Sequence, residues 1–480
     1  MKRNNSQLQK NIELFRSELG NSSDLSIREC KIGVNHIPVA VIWINGMVDQ
    51  KMLDESVLAP LLHRTSGETI SMPKEDLFEL FRNSIIAGRE LSYVSSTDEA
   101  VSQLLSGRTI VLAEGCEGSI AVDTKGYETR SIEEPSSTVV VRGPRDGFVE
   151  SLDVNVSLIR RRIKNKRLRV ETLTVGTVSH TPIVMLYLEG LAPDSIVQET
   201  RKRLNKIKID AVLESQYIEE LIKDSPFSIF PTVYNTERPD DVASGILEGR
   251  VAVMTNGTPF TLLVPCTFFH LMKTSEDYYQ SYMVATFLRW VRFTGLFINL
   301  LFPSIYVGVL SFHLEMVPPA LLSSILSSRE GVPFPLLAEA LIMELTFEGL
   351  REASIRMPRA VGSAISIVGA LVIGESAVRA GIISSPTIIV VAGTAIASFI
   401  IPSVELSGAV RLLRFFMLII ASLFGLYGIF IGLLMLGIHL TTLRSMGIPY
   451  FAPIAPYKRD EFWKTVIRMP WWILRPKYRK

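Results

Sequence analysis

The sequence predicts a protein of two characters: a duplicated α/β N-terminal soluble domain followed by a C-terminal all-α transmembrane helix bundle. Three observations predict it. Between Asp277 and Lys458 the chain holds no other Lys or Asp, although both are common elsewhere. Within that span residues 293–312 run twenty positions without a charge, long enough to cross a bilayer. In the N-terminal half, short motifs recur at an offset of about 143 residues, the mark of a repeated unit.

Composition sets the outer limits. A hydrophobic fraction of 48% in 480 residues is high for a soluble protein and low for one wholly in lipid, so the architecture is mixed. The formal net charge is only +2, which excludes a global polyanion-binding role, although residues 457–480 carry eight Lys or Arg against Asp460 and Glu461. Cys30, Cys116 and Cys266 lie far apart with no C-x-x-C pair, which supports neither a disulfide framework nor a zinc site, and no cofactor is expected. The first twenty residues are polar and lack an apolar core, so no cleavable signal peptide is expected and the soluble half is assigned to the cytoplasm. The expected organisation is a flexible N-terminus at 1–24, α/β subdomains at 25–135 and 171–275 around a basic linker at 136–170, a transmembrane domain at 280–445, and a basic cytoplasmic tail at 446–480.

The repeat is read from four matches in order. His36-Ile37-Pro38 leads into an apolar strand ending at Gly46, and His180-Thr181-Pro182 leads into another ending at Gly190. Leu105-Ser106-Gly107-Arg108 precedes the strand at 109–113, and Leu247-Glu248-Gly249-Arg250 precedes 251–255. Val- and Ile-rich strands (39–44, 183–188) are followed by charged amphipathic stretches (51–62, 194–207), the alternation expected of α/β folding. His36 and His180 are read as openers of strands rather than metal ligands. Between the copies, Arg160-Arg161-Arg162 with Lys164, Lys166, Arg167 and Arg169 form a run suited either to phosphates and anionic headgroups or to a solvated face making inter-subunit ion pairs. Aromatic residues for base stacking are missing there, which argues against single-stranded nucleic acid.

In the C-terminal half, hydrophobic stretches fall at 293–312, 361–378, 382–401 and 415–440, giving four membrane helices. Four crossings return the basic tail to the cytoplasm, in keeping with the positive-inside rule, and Trp471 and Trp472 would anchor at the headgroups. A weaker stretch at 335–350 is read as re-entrant or interfacial. On it Glu344, Glu348, Arg351 and Glu352 share one helical face, which either lines a cation-gathering vestibule, with Glu344 and Glu348 at its wall, or lies at the interface with its charges in water. The stretch 361–378 has a small-residue side, including Gly362, Ser366 and Gly369, suited to close packing. Its other side presents Val368, Val372 and Glu375, read either as pore-lining positions that close by dewetting or as lipid-facing valines with Glu375 paired to Arg379. Gly428 and Gly432 form a G-x-x-x-G packing signal.

Several motifs resemble the A subunit of GerA-type spore germination receptors over residues 25–472: Glu134-Pro135 with Val141-Arg142-Gly143-Pro144, Asn155 with Leu158-Ile159-Arg160, Asn235-Thr236-Glu237-Arg238-Pro239, Phe287-Leu288-Arg289, and Glu330-Gly331-Val332-Pro333-Phe334-Pro335. The resemblance implies a subunit that oligomerises into a nutrient-gated ion channel of the bacterial spore inner membrane and triggers germination. It implies a transporter-like B subunit and a lipoprotein C subunit as partners, besides membrane lipid. Arg142, Arg145, Arg160, Glu237 and Arg238 are assigned to contacts between subdomains or subunits. In Gly374-Glu375-Ser376 an acid stands where relatives often carry a neutral amide, which leaves pore selectivity open. The alternatives are a stage V sporulation protein AF-type paralogue supporting ion release, or a secondary transporter, for which inverted repeats in the membrane half are missing. No enzyme is expected, since P-loop, H-E-x-x-H and G-x-S-x-G patterns do not occur and the six histidines are dispersed.

Overall fold

Alternating Val, Ile and Ala in the central strands give the N-terminal half two sheets, each with apolar side chains on both faces. A computed structural model describes residues 7–32, 36–63, 90–116, 118–126, 142–356 and 374–473. The first sheet comprises β1 (Leu25–Ile32), β2 (Ile37–Ile44), β3 (Leu91–Val94), β4 (Thr109–Ala113) and β5 (Ser119–Val122), in the order β1-β2-β4-β5-β3. The second comprises β6 (Leu168–Val175), β7 (Thr181–Leu188), β8 (Tyr234–Thr236), β9 (Val251–Thr255) and β10 (Thr261–Val264), in the order β6-β7-β9-β10-β8. The two orders are the same topology. Corresponding strands begin 142 to 144 positions apart, as Leu25 and Leu168, Ile37 and Thr181, or Thr109 and Val251 do. Every pairing is antiparallel, which the strand–helix alternation in the sequence does not specify.

Period-two alternation decides which core each residue joins. Val39, Val41 and Trp43 of β2 enter one cluster with Val111 and Val122, while Ala40, Ile42 and Ile44 enter the other with Ile110 and Leu112. That second cluster is capped by α1 (Gln7–Glu18), whose Leu8, Ile12 and Phe15 are buried, and by α2 (Thr97–Leu104). The second repeat is covered by α3 (Leu152–Arg162), α4 (Asp194–Lys206), α5 (Ser215–Ile222) and α6 (Pro239–Leu247). Helices α2 and α6 each connect two strands that flank a third, so the repeated L-x-G-R motif ends a crossover helix. Gly107 and Gly249 stand just past those helix ends at φ +84° and +90°, a conformation that favours glycine.

The chain divides into two units, one holding Met1–Pro226 and Val233–Pro265, the other Phe227–Thr232 and Cys266–Leu474. The second unit is helical: α7 (Tyr282–Phe312), α8 (Pro319–Arg329), α9 (Leu336–Arg356), α10 (Ser385–Ile400), α11 (Val404–Thr442) and α12 (Arg459–Val466). Among the described residues α7 and α11 are long and apolar enough to cross a membrane, and α10 is shorter, at 16 residues. The hydrophobic stretch at 361–378 lies outside the described residues up to 373, and with it Val368 and Val372.

Helix α11 is broken. Gly425 has φ +61° and ψ −145°, a region open in practice to glycine alone. A β-carbon built on Gly432 would stand 2.5 Å from the Met417 sulfur, and one on Gly428 would stand 2.6 Å from the Ile420 carbonyl oxygen. In a straight helix residues 417 and 432 would be about 22 Å apart. The two arms therefore fold back on each other, and the expected single crossing at 415–440 contains a reversal. Hydropathy could not locate it, because both arms are apolar and a glycine within such a run also reads as a packing residue. The G-x-x-x-G pair is used within this hairpin, where it lets the arms approach.

Candidate functional site

The helical unit buries charge at three levels. At the first, Asp277 lies just before α7, fully buried, and receives Arg289 Nε at 2.8 Å and Arg292 Nη1 at 2.8 Å. Arg289 Nη1 also donates to the Lys464 carbonyl, and Arg468 Nε donates to the Asp277 carbonyl at 3.2 Å. The Arg468 guanidinium stacks 5.3 Å from Tyr278 and 5.0 Å from Trp471. This cluster ties the start of α7 to the segment after α12.

The second level is within the apolar helices. The buried face of α7 carries Gly295, Leu296, Asn299, Leu300, Pro303, Ser304, Val307 and Gly308 at three- and four-residue spacing. Asn299 accepts a hydrogen bond at 3.0 Å from Nη1 of Arg414, which comes from the first arm of α11. Nη2 of Arg414 lies 2.7 Å from Glu344 Oε2 and 3.4 Å from Glu348 Oε1, both on α9. Arg411 completes the set at 2.7 Å from Glu348 Oε2. Glu344 and Arg414 are each 1% exposed, so neither reaches bulk water within the chain. Two carboxylates and two guanidiniums meet here, and a third guanidinium, Arg351 of α9, lies close by over the Phe399 ring at 5.3 Å. Such an arrangement persists in a low-dielectric setting because each carboxylate has a guanidinium partner.

The third level lies at the turn before α9. Glu339, buried, accepts from the Ser384 amide and hydroxyl and stands 3.1 Å from Arg329 Nη1. The Glu330-to-Pro335 motif is the turn that makes this closure, with Gly331 at φ +93°.

The sequence-selected residues divide accordingly. Glu344 and Glu348 come together, and arginines engage both; within the chain alone they face Arg411 and Arg414 rather than an open vestibule. Glu375 is exposed and paired with Arg379 one turn on. In the first unit Arg160, 1% exposed, grips Asp24 with Nε at 2.8 Å and Nη2 at 3.0 Å, and Nη2 also reaches Ser22 Oγ. This joins α3 to the chain entering β1, beside a backbone bond from Ser23 to the Val170 carbonyl. Arg238 donates to the Pro144 carbonyl and to Asp240, while Phe148 N–H donates to the Glu237 carbonyl, so two of the motifs dock on each other. Arg142 and Arg145 on the same loop are exposed. Asn155 fixes that loop by exchanging two bonds with the Val149 backbone.

Three more residues of the basic run pair inside the chain, Arg162 on Asp146, Lys166 on Glu18 and Asp98, and Arg169 on Glu189, while Lys164 and Arg167 are exposed. Next to Arg238, burial and the neighbouring Asp240 push the Asp241 carboxyl up to about 7 against the pull of Arg238. His36 and His180 occupy equivalent left-handed positions, φ +51° and +44°, immediately before β2 and β7. Histidine is one of the residues enriched in that conformation. Among the described residues no group of His, Cys, Asp or Glu is placed to hold a metal.

Sequence reading missed Asp277, Glu339, Arg411 and Arg414 as partners. A signal existed for the last two: they are the two arginines of a 39-residue apolar helix, spaced to share a face.

Comparison with known proteins places this architecture. The Bacillus/Clostridium GerA spore germination protein family matches residues 13–479. Spore germination protein KA of Bacillus subtilis is 45% identical over 97% of this chain and 85% of its own. Spore germination protein B1 of the same organism is 38% identical over 98% of this chain and 96% of its own. A crystal structure of the N-terminal domain of the A subunit of the Bacillus megaterium spore germinant receptor GerK3 aligns with 54% of this chain and 95% of that one, at 35% identity and TM-score 0.43. With the family matched across both the sheet unit and the helical unit, the chain belongs to the GerA family of spore germination proteins, the A-subunit family of spore germinant receptors.

Proposed function

We propose that this chain is the A subunit of a nutrient germinant receptor, with its helical unit embedded in the spore inner membrane as part of an oligomeric, nutrient-gated ion channel. The observation that carries the reading is the continuous family match from residue 13 to 479, which spans both units. The geometry supports membrane residence: α7 and the arms of α11 expose Phe297, Phe302, Ile419, Leu423 and Phe430, while their polar groups turn inward. An ion-paired Arg414–Glu344–Glu348–Arg411 set in that interior is the form in which charge persists away from water.

On this reading the sheet repeats lie on the cytoplasmic side and couple subunits, with Arg142 and Arg145 exposed on one loop. Val368, Val372 and Glu375 line the passage, and Glu344 and Glu348 form its vestibule in an open state in which α9 parts from Arg411 and Arg414. A transporter-like B subunit senses nutrient and a lipoprotein C subunit completes the complex. Nutrient binding shifts the assembly between closed and open states through its differential affinity for the two. The test is deletion of the gene in its host, followed by germination assays of the purified spores against a panel of single amino acids and sugars. Loss of response to one nutrient or a few, restored by the wild-type gene, is expected. Unchanged response to every nutrient that triggers the parent spores would refute the receptor role.

A further inference from the structure

We infer that the segment Phe227–Thr232 is an interfacial anchor, inserting Phe227 and Ile229 into the headgroup region of the bilayer beside the apolar helices. The inference rests on the membrane reading above. In sequence the segment lies between α5 and β8, elements of the first unit, yet it clusters with the helical unit. Three contacts seat it there. Ser228 Oγ is 3.0 Å from His439 Nε2, the Phe230 ring is 5.9 Å from His439 and 6.4 Å from Tyr450, and the Thr232 carbonyl accepts from Ser445 Oγ at 2.6 Å. His439 and Ser445 bracket Thr442, where the second arm of α11 ends.

Exposure alternates along the segment, which runs through a turn and a bend. Ser228 and Phe230 face the helical unit, and Phe227 and Ile229 face away, 102% and 44% exposed. Pro226 and Pro231 restrict the backbone on either side. Two large apolar side chains are thus held out by an anchored segment, and none of the described residues covers them.

The surroundings identify a lipid interface as the occupant. Phe269 stacks on both Phe451 and Phe293 of α7, which places the first third of α7 at the level of Tyr450 and Phe451. Trp290 and Tyr457 are exposed in these segments, and Met435 and Ile438 are exposed on the arm that ends beside the loop. Amphipathic rings gathered where apolar helices end are the pattern of a membrane–water boundary.

The test uses the full chain in lipid nanodiscs. A spin label is placed at Phe227→Cys in a background of Cys30→Ser, Cys116→Ser and Cys266→Ala, and its collision rates with oxygen and with a water-soluble nickel chelate are measured. Labels at Phe297→Cys and Val178→Cys serve as references for the apolar helix face and for an exposed site of the sheet unit. The expected result is a nickel collision rate at 227 several-fold below that at 178, with oxygen access retained. Nickel access at 227 equal to that at 178, with 297 still shielded, would overturn the anchor and leave the membrane reading standing. Water-like access at 297 as well would overturn the membrane reading itself. Exclusion of both reagents at 227 would mean that protein covers the site, which also overturns the proposal. If the cysteine-free background does not fold, Phe227→Trp in the native background gives a second measurement: its added emission is quenched by lipids brominated near the headgroup, and unquenched added emission contradicts the anchor.

Discussion

Arg414 and Glu344 meet 2.7 Å apart, each 1% exposed, between two helices of the apolar unit. Glu344 has no well-aligned hydrogen bond, so its charge is held by proximity to the guanidinium. Arg414 also reaches Glu348 and Asn299, which makes it the hub. Replacing it strands Glu344, while Glu348 keeps Arg411. Arg414→Leu is expected to destabilise the full chain by about 3–5 kcal/mol, read as a fall in thermal unfolding temperature in detergent micelles. The double substitution Arg414→Leu with Glu344→Leu should recover part of that loss. Strict additivity of the two single effects would show that the pair is not coupled.

Gly425 and Gly437 give a contrast within one helix. Gly425 sits at φ +61°, and a β-carbon there would meet His313 Nε2 at 3.0 Å and Phe312 Cβ at 3.1 Å. Gly437 has open space around the same position. Gly425→Ala should cost about 1–3 kcal/mol from backbone strain alone, while Gly437→Ala should be neutral or stabilising by up to about 1 kcal/mol. The same unfolding measurement checks both, and equal effects would contradict the hairpin.

In the sheet unit, Arg160 holds Asp24 by two hydrogen bonds away from water, whereas Lys166 reaches Glu18 and Asp98 at the surface. Arg160→Ala is expected to cost about 3–5 kcal/mol and to expose the chain between the repeats to limited proteolysis. Arg160→Lys should not rescue it, because an ammonium cannot reproduce the planar fork. Lys166→Ala should cost less than about 1 kcal/mol.

Asp241 makes stability depend on pH. Its carboxyl is raised in the folded chain from 3.8 to about 7, chiefly by burial and then by Asp240. Between those values the native state keeps a proton that the unfolded chain has released, so this group's contribution is full below pH 4 and falls as pH rises to 7. Asp241→Asn should flatten that fall. Unfolding temperatures of the two proteins measured from pH 5 to 8 should converge at the acid end and separate at the alkaline end, with the variant higher. Parallel curves would remove the assignment.

The sequence disclosed most of the fold because repeats and hydropathy are local signals. The matched H-x-P and L-x-G-R motifs marked equivalent turns, and both glycines of the second motif are held at positive φ as such turns demand. Residues 293–312 and 382–401 fall largely on α7 and α10. The reversal at Gly425 stayed hidden because it needs one special backbone conformation and no change in polarity. The charge partners stayed hidden for another reason: Arg414 is 70 positions from Glu344, and sequence spacing cannot show which face of one helix meets another. For Arg160, the basic run announced charge, but not that its first residue turns inward to Asp24 while others pair locally.

The central proposal, an oligomer with a water-accessible passage gated by nutrient, is tested most directly by potassium release from vesicles. The chain is reconstituted with the proposed B and C subunits, and release is recorded before and after addition of the nutrients that trigger the parent spores. The account predicts retention before addition, rapid release after it, and altered release when Val372 is replaced by Asp. Retained potassium after nutrient addition, in vesicles whose complex binds that nutrient, would contradict it.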